Sequence, residues 1–211
     1  MNQYWYSGPT IDAMVREVEE HATRCAFLST PSIYFSLKKV RRGRPPGLPP
    51  CPPRAPPPGG DPATGHPPAP PGAQSSEVRR SSVVFDYDEQ FGRDAKLLDP
   101  AKNYVKYDYN APDALPEGML GTFDYVVVDP PFITEEVWEL YAVAVKRLLA
   151  PGGKMLLSTI PENAEMLGRL LGCRRCAFRP SIPNLVYQYD LYTNYESARL
   201  GERNPEIPED D

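Results

Sequence analysis

The residues best suited to chemistry are four consecutive positions in the second half of the chain, Asp129-Pro130-Pro131-Phe132. Each proline ring fixes its own φ angle and restricts the residue before it, so the turn that they form is rigid. Such a turn projects a carboxylate, proline carbonyl oxygens and an aromatic ring from one place. The oxygens can hold the N–H groups of an amine or a nucleobase, while the ring packs against it. The motif favours a nitrogen nucleophile, although a plain proline stop between a strand and a helix would look the same.

Aspartates recur at the ends of apolar segments. Asp86, Asp108 and Asp129 each follow one, at spacings of 22 and 21 residues. That spacing is about one strand–helix unit, so a parallel sheet would bring all three to the edge where α/β proteins bind ligands. A carboxylate there can accept hydrogen bonds from a ribose or from an adenine amino group. One such aspartate could simply cap the next helix or turn, but three in register favour a ligand site.

Hydrophobic periodicity predicts the elements that must position these groups. Apolar residues at helical spacing predict helices, and short apolar runs predict strands, of which the run at 123–128 is continuous enough to be buried on both faces. The alternation indicates an α/β fold with right-handed crossovers. The last two strands have no helix between them, which predicts a hairpin with one antiparallel strand. Helices are expected at 9–22, 134–150 and 162–171, and strands at 25–28, 82–85, 104–107, 123–128, 154–158, 174–178 and 186–193.

Proline is distributed very unevenly along the chain. Of the 27 prolines among 211 residues, fourteen fall between Pro45 and Pro71. The surrounding segment, 41–81, has no aromatic residue and almost no large aliphatic one, so it cannot bury enough surface to offset its ordering entropy. We predict that 41–81 is a disordered insert with polyproline II character. Residues 1–40 and 82–200 should form a single domain, followed by a frayed acidic tail at 201–211.

Composition and charge exclude several classes of protein. No run of about 18 apolar residues is present, the N-terminus does not resemble a signal peptide, and four cysteines do not make a disulfide scaffold. An intracellular, cytoplasmic protein without a membrane partner or a metal is expected. The net charge is −5, and six arginines with two acidic residues fall between 41 and 80, so the rest of the chain carries −9. A broad electrostatic footprint for nucleic acid is therefore not evident.

The four-residue motif resembles the Asp/Asn-Pro-Pro-Tyr/Phe motif of S-adenosylmethionine-dependent N-methyltransferases with a seven-stranded sheet. The wider chain resembles one branch, the eukaryotic elongation factor 1 alpha lysine methyltransferases, which was earlier grouped with N6-adenine-specific DNA methyltransferases. The resemblance covers residues 2–40 and 82–199. Its matching features lie in segments 3–7, 29–34, 85–88, 107–110, 123–132 and 192–195.

The resemblance implies a class I methyltransferase (Rossmann-like) sheet, S-adenosylmethionine as the cofactor and elongation factor 1 alpha as the protein substrate. It also implies how the cofactor is held. Ser29 and Thr30 would line its methionine or sugar side, Asp86 would accept from the ribose hydroxyls, Tyr87 would pack on the adenine, and Asp108 would accept from the adenine amino group. Ser29-Thr30-Pro31-Ser32 stands where such methyltransferases usually have a glycine-rich loop.

For the transfer step, the resemblance implies that Asp129 lies beside the cofactor and, with the Pro130 carbonyl, positions the nucleophilic nitrogen. Pro131 and Phe132 would form a wall of the substrate site, which Trp5 and Tyr6 would cover. The same motif could instead serve N6-adenine methylation of nucleic acid. A third alternative is a non-catalytic cofactor-binding protein, because the insert falls in or just after the first crossover helix.

Overall fold

The computed structural model describes residues 5–37 and 77–208, and one mixed sheet organises them. Its seven strands stand in the order β3-β2-β1-β4-β5-β7-β6. β1 to β5 are parallel, and β7 runs antiparallel to both β5 and β6. The predicted fold class, with one antiparallel strand in a C-terminal hairpin, is confirmed. The strands are β1 (Cys25–Leu28), β2 (Val83–Asp86), β3 (Tyr104–Lys106), β4 (Phe123–Val128), β5 (Leu149–Thr159), β6 (Arg174–Arg175) and β7 (Asp190–Thr193).

The three predicted helices begin and end close to where the sequence patterns place them, and three short helices were not predicted with bounds. Ser7 caps the first helix, since its Oγ accepts a hydrogen bond from Thr10 N at 3.2 Å, and a proline occupies the first turn. Glu135 and Glu136 lie at the positive end of α5, and Lys146 and Arg147 at its other end. The helices are α1 (Gly8–His21), α2 (Pro31–Ser36), α3 (residues 77–81), α4 (Pro100–Asn103), α5 (Glu135–Leu148) and α6 (Ala164–Leu171).

Three strand predictions are wrong in length. The strand expected at 174–178 ends at Arg175. The fifth strand begins at Leu149 rather than at 154, because the glycines after α5 form a bulge where the pairing of β4 and β5 shifts register. The last strand begins at Asp190 rather than at 186, because Val186 and Tyr187 leave the sheet and stand 88% and 65% exposed. The sequence pattern of this segment resembles that of a strand, but the pattern does not reveal that these side chains are exposed.

The sheet is packed on both faces. Val126 and Val128 of β4 contribute to the core beneath α5 and α6, whereas Tyr125 and Val127 contribute to the core beneath α1 and α2. The prediction that this strand is covered on both sides is confirmed. Within residues 5–37 and 77–208, no helix combines the length and the apolar character needed to span a membrane.

The predicted domain boundaries need two corrections. Residues 77–81, which were expected to belong to the disordered insert, are helical, and Val78 and Arg79 are 4% and 2% exposed. Arg79 Nη2 donates to the Lys96 carbonyl at 2.5 Å, so this turn is tied to the fold. The tail is not frayed at its start either, because Asn204 is buried and donates to the Arg179 carbonyl at 2.8 Å. The remainder of the insert prediction, 41–76, lies outside the described residues, as do 209–211.

Parallel strands end at one edge of the sheet, which we call the carboxyl edge. It comprises the segments that follow β1 to β5 (29–30, 86–88, 107–110, 129–133 and 160–165) and the segment that leads into β7 (180–189). β7 joins this edge at its start, because Asp190 pairs with Thr159, the last residue of β5. All the predicted site residues therefore belong to the carboxyl edge or, for Trp5 and Tyr6, to the chain that precedes α1.

Candidate active site

Asp129 occupies the centre of the carboxyl edge. Its backbone N–H donates to the Leu28 carbonyl at 3.2 Å, which holds the end of β4 against the end of β1. The side chain is half-buried, Pro130 is buried, and Phe132 is 55% exposed. The turn thus holds its carboxylate inside the edge and turns its ring toward solvent.

Among the described residues, the carboxylate has a single hydrogen-bond partner, the hydroxyl of Tyr6. The Tyr6 phenol oxygen lies 2.7 Å from Asp129 Oδ2 and 2.7 Å from Ser158 Oγ. A phenol has one hydrogen, so when it donates to an ionised Asp129 the Ser158 hydroxyl must donate to Tyr6. Oδ1 of Asp129 has no hydrogen-bond partner in the part of the chain that the structure describes, and it is the oxygen left for a ligand.

Burial shifts the pKa values of both acidic groups of this network, Asp129 and Tyr6, and no cation among the described residues opposes the shift. Burial raises the pKa of Asp129 to about 7, although the hydrogen bond from Tyr6 opposes the shift. Burial and the charge of Asp129 raise the pKa of Tyr6 well above its usual value. Asp129 therefore changes its protonation state near neutral pH, while Tyr6 stays a neutral donor.

The loop that carries the motif is fixed from its far side by an amide. Asn163 Nδ2 donates to the Ile133 carbonyl at 2.8 Å and to Thr159 Oγ1 at 2.9 Å. Trp138 Nε1 donates to the same hydroxyl at 3.3 Å. These bonds join the motif loop to the ends of β5 and α5, so the position of Asp129 does not depend on the prolines alone.

Two tyrosines that the sequence analysis did not assign to the site complete an aromatic wall. Tyr109 packs edge-on against Phe132, with ring centroids 6.3 Å apart, and stacks on Tyr141 at 6.0 Å. The Tyr141 hydroxyl lies 2.6 Å from Ser29 Oγ. Tyr141 looked like part of the buried stripe of α5, and only its hydroxyl hinted at a second role. Tyr109 directly follows the predicted site residue Asp108, and this position could have indicated that Tyr109 belongs to the site.

The chain turns sharply after β1. Ser29 has a φ of 55°, a left-handed conformation that favours glycine, and its N–H donates to the Phe85 carbonyl at 2.9 Å. Thr30 is 2% exposed, and its Oγ1 has no hydrogen-bond partner among the described residues. A serine thus makes the tight turn that a glycine-rich loop usually makes, and a buried hydroxyl is left open to a ligand.

The end of β2 supplies a second perturbed carboxylate. Burial raises the pKa of Asp86 to about 6, while the hydrogen bond that Oδ1 accepts from Asp88 N, 2.9 Å long, opposes the shift. The neighbouring Tyr87 ring is 65% exposed, and the Lys106 ammonium lies 5.5 Å from its centroid. A ring this open can stack on a planar ligand.

The end of β3 supplies a third carboxylate, which is partly buried. Asp108 Oδ1 accepts hydrogen bonds from the backbone N and the Nδ2 of Asn110, both at 2.9 Å. The Tyr107 hydroxyl is buried and has no partner in the described part of the chain. Burial raises the pKa of Tyr141, and the negative charges of Asp86 and Asp129 raise it further. Tyr141 is therefore influenced both by this half of the edge and by the motif.

The terminal aromatic residues separate into two roles. Trp5 is 51% exposed, as expected of a residue that covers a site, whereas Tyr6 is 8% exposed and commits its hydroxyl to Asp129 and Ser158. The structure therefore places Tyr6 as a support of the carboxylate. No pattern in the sequence joins Tyr6 to Asp129, which is 123 residues away.

One group of side chains within the described residues has metal-ligand spacing, namely Glu17, Glu20 and His21. Arg199 pairs with both glutamates, and Lys154 Nζ lies 3.0 Å from His21 Nδ1. The cations of the protein itself already neutralise this cluster, which therefore has the character of a structural ion-pair network.

Comparison with known proteins gives consistent results. Residues 1–197 match the family described as "Probable N6-adenine methyltransferase". The chain is 31% identical over 205 residues to the zebrafish (Danio rerio) protein "EEF1A lysine methyltransferase 1", covering 95% of this chain and 99% of that one. It is 28% identical to the human (Homo sapiens) protein of the same name, covering 94% of this chain and 75% of that one.

Among solved structures, the fold is similar to that of a Burkholderia thailandensis 1,6-didemethyltoxoflavin-N1-methyltransferase with bound S-adenosylhomocysteine. The TM-score is 0.50 at 13% sequence identity, over 88% of this chain and 76% of the other. This similarity supports the seven-stranded methyltransferase fold.

Proposed function

The chain belongs to the same family as the EEF1A lysine methyltransferase 1 proteins, and on that premise we propose that it transfers a methyl group from S-adenosylmethionine to a lysine of elongation factor 1 alpha. The observation that carries the proposal is Asp129 in an Asp-Pro-Pro-Phe turn, a carboxylate that bonds the Tyr6 hydroxyl through one oxygen and has no partner for the other in the described chain. The protein would work in the cytoplasm, where translation takes place.

The first half of the carboxyl edge fits the cofactor. Asp86 is an acceptor with a second oxygen free for ribose hydroxyls, Tyr87 offers an open face for the adenine, and Asp108 is placed to accept from its amino group. The unpartnered Thr30 hydroxyl and the Ser29 turn suit the sugar or the methionine part. When bound, S-adenosylmethionine would supply an electrophilic methyl group on a positively charged sulfur, with S-adenosylhomocysteine as the leaving group.

The second half of the edge suits the amine. A free lysine has a pKa of about 10.4, so its ammonium must lose a proton before its nitrogen can act. Oδ1 of Asp129 and the Pro130 carbonyl can accept from the two remaining N–H groups, which directs the lone pair. Phe132, with Pro131 beside it, walls the side-chain stem. Most of the rate gain then comes from alignment, and Asp129 acts as an orienting acceptor.

Two other functions use the same groups. N6-adenine methylation, which the description of the matching family names, would stack a base on Phe132. Against it stands the −9 net charge outside residues 41–80, because phosphate contacts supply much of nucleic-acid affinity. A non-catalytic protein would bind the cofactor and methylate nothing.

One labelling experiment separates the three. The full chain is incubated with S-adenosylmethionine carrying a tritiated methyl group, and with elongation factor 1 alpha, single- or double-stranded DNA, or neither. We expect label on the elongation factor and, by peptide mass spectrometry, on lysine. Asp129→Ala should abolish it, whereas Asp113→Ala, at a surface aspartate that is 73% exposed and pairs with Arg147, should not. Label on DNA alone, or cofactor binding without any label, would overturn the proposal.

A further inference from the structure

The segment that leads into β7 has an unusual surface. Residues 180–189, Pro-Ser-Ile-Pro-Asn-Leu-Val-Tyr-Gln-Tyr, carry no charge in a chain of which 24% is charged. Val186 is 88% exposed, the highest value among the large hydrophobic side chains of the described residues. Tyr187 is 65% exposed, as is Tyr87. We call residues 182–188 the apolar loop.

Hydrogen bonds fix the base of the loop, so its exposed tip has a defined conformation. Ser181 accepts from Ser7 N at 2.8 Å and donates its own N–H to Thr10 Oγ1 at 2.9 Å. Gln188 Nε2 donates to the Pro180 carbonyl at 3.0 Å, which closes the loop on itself. At the far end Asp190 is buried and pairs with Arg175 at 2.6 Å.

The loop ends beside the acceptor of the proposed reaction. Asp190, the residue after Tyr189, pairs with Thr159 at the end of β5, and the adjacent Ser158 bonds the Tyr6 hydroxyl that also bonds Asp129. Burial and the charge of Asp129 raise the pKa of Tyr189 to about 12, in agreement with this geometry. The Ser7–Ser181 bond ties the loop base to the segment that contains Trp5 and Tyr6. The apolar loop and Trp5, itself 51% exposed, therefore flank the same part of the carboxyl edge as Asp129.

The neighbouring part of the edge carries three acidic side chains, whereas the arginines next to the loop, Arg175 and Arg179, pair with the buried Asp190. Glu136 lies in the first turn of α5, directly after the motif, and Glu162 and Glu165 precede and begin α6 after β5. None of the three forms an ion pair within residues 5–37 and 77–208. A ligand that enters between them and the apolar loop meets carboxylates on one side and uncharged, mostly apolar residues on the other.

We propose that the apolar loop, with Trp5, is the docking surface for the folded protein that presents its lysine to Asp129, and that it binds an apolar patch next to that lysine. This rests on the proposed function, since it concerns the substrate of the same site. The carboxylates attract the lysine and the loop supplies contact area, the division between polar rim and apolar anchor that is usual in protein interfaces. A nucleic acid, whose phosphates need cations, does not fit this surface.

The test uses the full chain with saturating S-adenosylmethionine and folded elongation factor 1 alpha as the variable substrate. The variant is Val186→Ser with Tyr187→Ser, and the control is Val143→Ser, at a valine on α5 that is 38% exposed. We expect the double variant to raise KM for the protein substrate at least about tenfold, as is common for two anchoring side chains. kcat at saturation should fall less than about threefold, and the dissociation constant of S-adenosylmethionine and the melting temperature should not change.

A second measurement is amide hydrogen exchange of 182–188, which should slow when the elongation factor is added to the wild-type chain. An unchanged KM in the double variant, an equal rise in the control, or a loss in kcat alone would overturn the docking surface and leave the proposed function standing. A wild-type chain that binds S-adenosylmethionine but leaves the elongation factor unlabelled would overturn the proposed function, and the docking surface with it.

Discussion

Asp129 and Asp190 are both shielded carboxylates at the carboxyl edge, but they have different partners. Asp129 has the hydroxyl of Tyr6 at 2.7 Å and one oxygen without a partner in the described chain. Asp190 is fully buried between two arginines, with Arg175 Nε at 2.6 Å and Arg179 Nε at 3.4 Å. Burial raises the pKa of both, and at Asp190 the arginines oppose it. Within the described chain, no cation pairs with Asp129, where we propose that a ligand binds. Two arginines pair with Asp190, which anchors a loop.

The largest effect should come from removing the carboxylate at Asp129. Asp129→Ala is expected to lower kcat about 1,000-fold, because loss of one preorganised hydrogen-bonding group in an active site typically costs a factor of about 100 to 1,000. Asp129→Asn, which keeps an acceptor oxygen, should lose only about 10- to 100-fold. Single-turnover rates with elongation factor 1 alpha measure both. Full activity in Asp129→Ala, with cofactor binding intact, would contradict the assignment.

Tyr6 gives the next effect, and it should show in the pH profile. The ionised form of Asp129 is the stronger acceptor for the amine, so its pKa of about 7 predicts an inflection there, with the rate falling as pH decreases. Tyr6→Phe removes a bond that lowers this pKa, so the inflection should move up by about one unit. The rate at pH 7 then drops about fivefold and recovers by about pH 9.

Ser158→Ala is the matched test of the same network, because it removes the donor to Tyr6 and leaves the Tyr6–Asp129 bond. Its inflection should move less than that of Tyr6→Phe. Two variants with lower rates at every pH and no displaced inflection would mean that Tyr6 serves the fold rather than Asp129.

The smallest effect concerns Asp190. Asp190→Asn removes the negative charge that lies between Arg175 and Arg179, and since these arginines are 47% and 22% exposed, water screens much of the cost. We expect the free energy of unfolding to fall by about 1 kcal/mol, measured by urea denaturation, with cofactor affinity unchanged. Asp113→Asn, on the surface, should change it by less than about 0.5 kcal/mol. If Asp190→Asn lowered kcat as much as Asp129→Ala, the two carboxylates would not differ in role as we propose.

Local pattern sufficed for the scaffold. The three strand-end aspartates, the double-sided burial of β4 and the C-terminal hairpin all follow from hydrophobic period and from the spacing of strands and helices. The pattern misled where burial, not period, decides the outcome. Residues 186–189 alternate like a strand yet leave the sheet, and 77–81 belong to a proline-rich stretch by composition yet form a buried turn.

The roles of the site residues were only partly accessible. Ser29 could be placed after β1, but its left-handed turn and its contact with Tyr141 could not, because the partner lies 112 residues away. Tyr6 was expected to face a substrate, and its commitment to Asp129 and Ser158 depends on where the chain before α1 crosses the edge. Thr30 and Asp86 were placed correctly at the edge, and their roles toward the cofactor stay predictions.

The sequence by itself determined which groups reach the carboxyl edge, because strand period and connection length are local properties that bring every strand-end residue to one side of the sheet. Tertiary structure alone decided what each of those groups can do there. The partners of a carboxylate, its burial and therefore its pKa come from chain segments far away in sequence, which is why Asp129 titrates near neutrality while Asp190 is held between two arginines.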